Sequence, residues 1–99
     1  MSTTDWRVWK FELPTDTDDF IVPMPSGVNL SVQMQNGVPV LWAAVLPQTF
    51  EENGRRGHRF MWVGTGQPVP DAIKQFQQSY VGTVQLSTGI VLHLFRLYE

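Results

Sequence analysis

From Val28 to Gln35 the chain alternates without a break: Val28, Leu30, Val32 and Met34 are apolar, while Asn29, Ser31, Gln33 and Gln35 are polar. A period of two is the pleat of a β-strand with one buried face. Asn36-Gly37 follows, and this dipeptide favours a two-residue type I′ turn, which needs positive φ at both central positions. Val38 to Leu46 then reads as the return strand, apolar on both sides and therefore central. The turn sets a register that pairs Val32 with Leu41 and Leu30 with Ala43 on the core side. On the other side Ser31 meets Trp42 and Gln33 meets Val40, which leaves Trp42 among amides and hydroxyls.

The same reading extends to both ends. Trp6 to Leu13 alternates, with Trp9, Phe11 and Leu13 opposite Lys10 and Glu12, until Pro14 stops it. Phe20 to Met24 reads as a short edge strand, because Pro23 and Pro25 cannot donate to a ladder. His58 to Thr65 is another strand, with His58, Phe60 and Trp62 on one face. Residues 70–78 hold the one helical candidate, with Ile73 and Phe76 at i,i+3 spacing. Val81 to Leu86 and Ile90 to Tyr98 form a second hairpin around a three-residue loop, Ser87-Thr88-Gly89. That loop pairs Leu86 with Ile90 and Val84 with Leu92 on the core side, and puts Thr83, Gln85 and His93 together on the opposite face. Six or seven strands and one short helix make a mainly β domain over residues 1–99. Its antiparallel hairpins are expected to form a small sandwich or a partly open barrel.

Composition narrows the function. The chain is 42% hydrophobic and 16% charged, which excludes intrinsic disorder. Its formal charge of −2 argues against a duplex-DNA binder, which needs a strongly basic face. The longest apolar run, Val38 to Leu46, is far short of the roughly 20 residues that cross a bilayer. The first residues show no basic, apolar leader, so a cytoplasmic protein is the expectation. Without cysteine there is no disulfide framework, and neither a metal nor a cofactor is expected.

Arg55, Arg56, His58 and Arg59 fall within five positions, beside Gly54 and Gly57. Guanidinium forks match phosphate oxygens, so this stretch reads as an anion or nucleotide-phosphate site. The alternative is a solvated loop tip paired with Glu51 and Glu52. Twelve percent of the residues are aromatic, and most of these rings must be core. Trp42 and Trp62 are the two with a second use, since either would stack a base. Gln33, Thr83, Gln85 and His93 would read the polar edges of such a ligand. No nucleophile–base–orienter set is visible, so the chain reads as a non-enzyme. Strands apolar on both faces exceed what one copy covers, which points to a homo-oligomer.

Two strings of motifs then resemble a known family. One is Trp9-Lys10-Phe11-Glu12-Leu13-Pro14, Met24-Pro25-Ser26-Gly27, Leu30 through Gly37, and Leu41-Trp42-Ala43. The other is Phe60-Met61-Trp62-Val63-Gly64-Thr65-Gly66-Gln67-Pro68-Val69-Pro70, Tyr80 through Gln85, and His93-Leu94-Phe95. Together they resemble a family of roughly hundred-residue proteins of tailed phages and prophages, a domain of unknown function. The resemblance implies a phage accessory protein in the bacterial cytoplasm and carries no catalytic residues across. By analogy of size and context, it suggests a counter-defence sponge that sequesters a nucleotide immune signal of the cyclic oligonucleotide or ADP-ribose type. Two other readings stand beside it: an inhibitor or adaptor that grips a host protein with an apolar sheet face, and a small nucleotide-processing enzyme using His58 or His93.

Overall fold

The hairpin at Asn36-Gly37 forms as its residues require, with φ of 53° and 81° at the two turn positions. In this computed structural model, which describes residues 5–50 and 57–98, seven strands make two antiparallel sheets. The strands are β1 (Arg7–Glu12), β2 (Asp19–Val22), β3 (Gly27–Gln35), β4 (Val38–Val45), β5 (His58–Gly64), β6 (Tyr80–Gln85) and β7 (Val91–Leu97). One sheet has the order β1-β4-β3, the other β2-β5-β7-β6. They pack face to face as a small sandwich and do not close into a barrel. Arg55 and Arg56 lie outside the described residues. No helix among the described residues is long and apolar enough to cross a membrane.

The core lies between the sheets. Leu41, Ala43 and Val45 of β4 meet Phe60, Trp62, Leu94 and Val84 of the other sheet, joined by Phe20, Val22 and Met24. β4 is central as expected, and it tolerates Pro39 because that residue faces Leu13, just beyond the end of β1. There the carbonyl of Pro39 still accepts from Leu13 N–H at 2.9 Å. On the closed side of the sandwich β3 crosses β6. A Cβ at Gly82 would stand 2.7 Å from a Val32 methyl, so the bare Cα permits this approach.

Register holds in the turn-proximal half of the first hairpin and changes in the distal half. Val32 pairs with Leu41, Ser31 with Trp42 and Gln33 with Val40, but Asn29, not Leu30, pairs with Ala43. Leu30 is the extra residue of a β-bulge, and a one-residue slip flips every side chain beyond it. Val28 and Leu30, expected in the core, are therefore 57% and 53% exposed. Gly27 and Asn29 turn inward instead.

The second hairpin keeps its expected pairings, although Ile90, expected on the core side, is 54% exposed at the loop end. Leu86 N–H donates to Ile90 carbonyl at 2.8 Å, and Val84 pairs with Leu92 and Thr83 with His93. The helix expected over 70–78 shrinks to α1, Phe76–Ser79. Pro68 and Pro70 hold the preceding segment in turns, with Ile73 N–H donating to Pro70 carbonyl at 3.0 Å. Ile73 then inserts among Val63, Leu97, Met61 and Phe95 and covers the outer face of the four-stranded sheet. Burying that one side chain outweighs two turns of helix with few apolar anchors.

Gly82→Val is expected to lower unfolding stability by about 1–3 kcal/mol, the usual cost of overpacking. A double-mutant cycle with Val32→Ala in chemical denaturation should give a coupling of at least about 0.5 kcal/mol. Purely additive losses would show that the two residues do not meet.

Candidate functional site

Among the described residues, those singled out from sequence do not converge. Trp42 and Gln33 share the outer face of the three-stranded sheet. Trp42 is half-buried there, across from Ser31 and from Lys10, whose Nζ stands 6.0 Å from its ring centroid. Lys10 also donates to Gln35 Oε1 at 3.1 Å. Thr83, Gln85 and His93 lie on the outer face of the four-stranded sheet. The His93 ring is held between two hydroxyls, Thr83 at Nδ1 and Thr65 at Nε2, each at 2.8 Å, and Thr83 bonds onward to Tyr80. That row is four residues along β7 from Arg59, or roughly 13 Å at strand rise.

Trp62 belongs to the core. It is 3% exposed, its indole N–H donates to Pro14 carbonyl at 2.7 Å, and its ring packs 6.1 Å from Phe20. The alternation that puts His58, Phe60 and Trp62 on one face also sends that face inward, so this indole is not available to a base. Arg59 faces outward and forks onto Asp19, with Nε 2.9 Å from one carboxylate oxygen and a terminal nitrogen on the other. That hydrogen-bonded guanidinium holds the Asp19 carboxyl below its usual range.

What the fold does bring together is one end of the four-stranded sheet: the start of β5, the start of β6 and the end of β7. Seven basic residues less Arg55 and Arg56 leave five among the described residues, and three of them, Arg59, Lys74 and Arg96, are here. Two clefts flank Tyr98. One, of about 380 Å³, is lined by Arg59, Lys74, Gln75, Ser79 and Tyr98. The other, of about 310 Å³, opens between the sheets and is lined by Asn29, Gln78, Tyr80, Arg96 and Tyr98. Asn29 reaches this mouth because of the bulge at Leu30.

Arg96 is the residue the sequence reading passes over, although a signal exists. It continues the inward phase of Leu92 and Leu94, so a cation stands where the alternation calls for an apolar side chain. Its guanidinium lies 4.4 Å from the Tyr98 ring centroid, a cation–π stack. Its Nε–H is buried and has no hydrogen-bond partner among the described residues, and neither does Nδ1 of the buried His58. Burial, and then the charge of Arg96, push the His58 pKa down to about 4. The imidazole is therefore neutral at pH 7. A buried donor without an acceptor costs about 1–3 kcal/mol, more when charged, and an entering anion removes that cost. Among the described residues no group of three His, Asp or Glu side chains is placed to hold a metal ion.

The His58 shift fixes the sign of a pH dependence. The unfolded chain takes up a proton near the ordinary value of 6.5 and the folded chain only near 4. Stability is thus complete above pH 6.5 and is lost as pH falls through the window down to 4. At about 1.4 kcal/mol per pKa unit the loss reaches up to roughly 3 kcal/mol. Asp19 acts in the same direction at lower pH. His58→Gln should flatten the slope of melting temperature between pH 6.5 and 4, read by scanning calorimetry, and an unchanged slope would assign the acid loss elsewhere.

No curated protein and no solved structure matches the chain. A family model does, across residues 5–99, and by that match the chain belongs to the family described as a domain of unknown function, DUF7352.

Proposed function

We propose that this chain is a non-catalytic phage accessory protein that associates with itself and binds a phosphate-bearing, nucleotide-class anion around Tyr98. The reading rests chiefly on the buried Arg96 Nε–H, which lacks an acceptor at the mouth of a cleft. Arg96 and Lys74 supply charge on either side of Tyr98, a residue that is 63% exposed and whose ring offers a stacking face. Arg59 adds a guanidinium that exchanges Asp19 for phosphate oxygens. Asn29 and Gln78 supply amides for polar edges. Held in this way, a signal molecule of the host would be withheld stoichiometrically, without being converted.

A second reading has its own observation. Val8 and Val28 flank Ala44 on the outer face of the three-stranded sheet, with Leu30 and Trp42 beside them, and Val8 is 61% exposed. An apolar face of this kind suits a host protein, and the chain would then be an inhibitor or adaptor.

Titration calorimetry against cyclic di- and trinucleotides and ADP-ribose separates the two. Binding should saturate at one ligand per site, and the ligand recovered after denaturation should be unchanged. Arg96→Met should weaken affinity by about tenfold or more, as expected for one charge-assisted hydrogen bond. A converted ligand would refute sequestration. No heat, with activity retained when Arg55, Arg56, Arg59 and Arg96 are all replaced, would favour the adaptor.

A further inference from the structure

The two sheets have four edge strands, and their main chains differ in what they leave unpaired. β2 has four residues and runs into Pro23 and Pro25. β3 and β6 lean on each other where Val32 meets Gly82. β1 remains: six residues, Arg7–Glu12, five of them exposed and Phe11 half-buried. The Leu13 N–H to Pro39 carbonyl bond fixes which residues of this strand point at β4. In an antiparallel ladder the direction alternates. The odd residues Trp9, Phe11 and Leu13 therefore bond to β4, while Val8, Lys10 and Glu12 aim N–H and C=O outward along an edge that no described strand pairs.

We infer that this edge pairs with the β1 strand of a second copy about a two-fold axis, giving one continuous six-stranded sheet. Symmetry and charge together select the register. A two-fold axis normal to the sheet keeps each face with itself, so even residues must meet even ones. An axis at Lys10 sets two ammonium groups opposite each other. An axis at Trp9 sets Glu12 against Trp6 and Lys10 against Val8, with neither charge matched. An axis at Phe11 sets Lys10 of each copy against Glu12 of the other, twice. Directly opposed unlike charges stabilise an antiparallel pair and like charges oppose it. The axis at Phe11 is therefore the self-complementary one. It gives four main-chain hydrogen bonds from Lys10 and Glu12 and brings the two Phe11 rings together on the inner side. The Trp9–Phe11 ring pair of each copy, 6.3 Å between centroids, then continues into the other. In the single copy Lys10 reaches across Trp42 to Gln35 on β3, so its flexible stem has to swing back to this edge to meet the partner copy's Glu12. The occupant is a second copy rather than a foreign strand because the Lys10–Glu12 pattern is complementary to itself.

This deepens the self-association part of the proposed function and is independent of the ligand. Sedimentation equilibrium of the full chain tests it, with melting curves alongside. Wild type should be a dimer. Lys10→Pro removes an N–H that points to solvent in the single copy, together with the exposed side-chain contacts of Lys10 to Gln35 and Trp42, so it should melt near wild type yet sediment as a monomer. Lys10→Glu and Glu12→Lys should each weaken the dimer roughly tenfold, and the double swap should return it to within about threefold of wild type. A Lys10→Pro chain that remains dimeric would place the interface elsewhere and overturn this inference alone. A double swap that fails to restore association would overturn the register. A wild-type chain that stays monomeric at roughly 0.5 mM would overturn both the inference and the self-association it rests on.

Discussion

One extra residue in β3 decides what both surfaces of the three-stranded sheet present. Between Asn29 and Ser31 the ladder skips Leu30. Every side chain before that point changes face. Two apolar residues, Val28 and Leu30, go to the outside, and Gly27 and Asn29 go to the inside. Without the slip, the inter-sheet mouth would be lined by leucine and valine across from Arg96, and the residues that β3 gives to the outer face would all be polar. A bulge also bends its strand and sharpens the twist. While still paired to β4, β3 lies against β6, where the bare Cα of Gly82 accepts Val32. One side of the sandwich therefore closes, while the end near Tyr98 stays open.

The open end is where local rules conflict. Leu92 and Leu94 bury as their alternation demands, and Arg96 follows them inward with an N–H left unmatched. His58 starts β5 in the same phase as Phe60 and Trp62 and is as buried as a core residue. At both sites a buried polar atom has no partner among the described residues, which costs stability. Natural chains tend to break their own patterning where they bind something, with the cost offset elsewhere. The offset here is the dense apolar layer around Leu41, Phe60 and Leu94, each fully buried.

How much of this was legible in the chain depends on the range of the determinant. The turns are local: Asn36-Gly37 and Ser87-Thr88-Gly89 carry their geometry in two or three residues, so both hairpins and most of their pairings follow. The inward phase of β5 was equally plain, but it was in tension with a stacking role for Trp62, and burial decides it. The bulge was not legible, because an uninterrupted alternation over Val28 to Gln35 carries no mark of a slip. Its cause is tertiary, since β3 lies against a partner more than forty-five residues away. The helix failed for a similar reason: Ile73 has a better place over Val63 and Leu97 than on an isolated turn. Arg96 was legible in principle, as a cation in an apolar phase, whereas a run of arginines in a loop attracts notice by density alone.

A chain with so few charged residues makes their placement informative. Of the five described basic side chains, three ring Tyr98 and the other two, Arg7 and Lys10, stand on β1. Charge on an edge strand is a common guard against indiscriminate strand addition. Lys10 with Glu12 on the same outward ladder does more than guard, because it discriminates between registers as well as between partners. Both concentrations of charge thus sit beside hydrogen-bonding groups that no described residue satisfies, a buried side-chain donor at Arg96 and a row of solvent-facing main-chain groups along β1. On the readings proposed above, the charge would supply selectivity in each case, and these groups would give a second molecule, ligand or copy, its hydrogen-bonding partners.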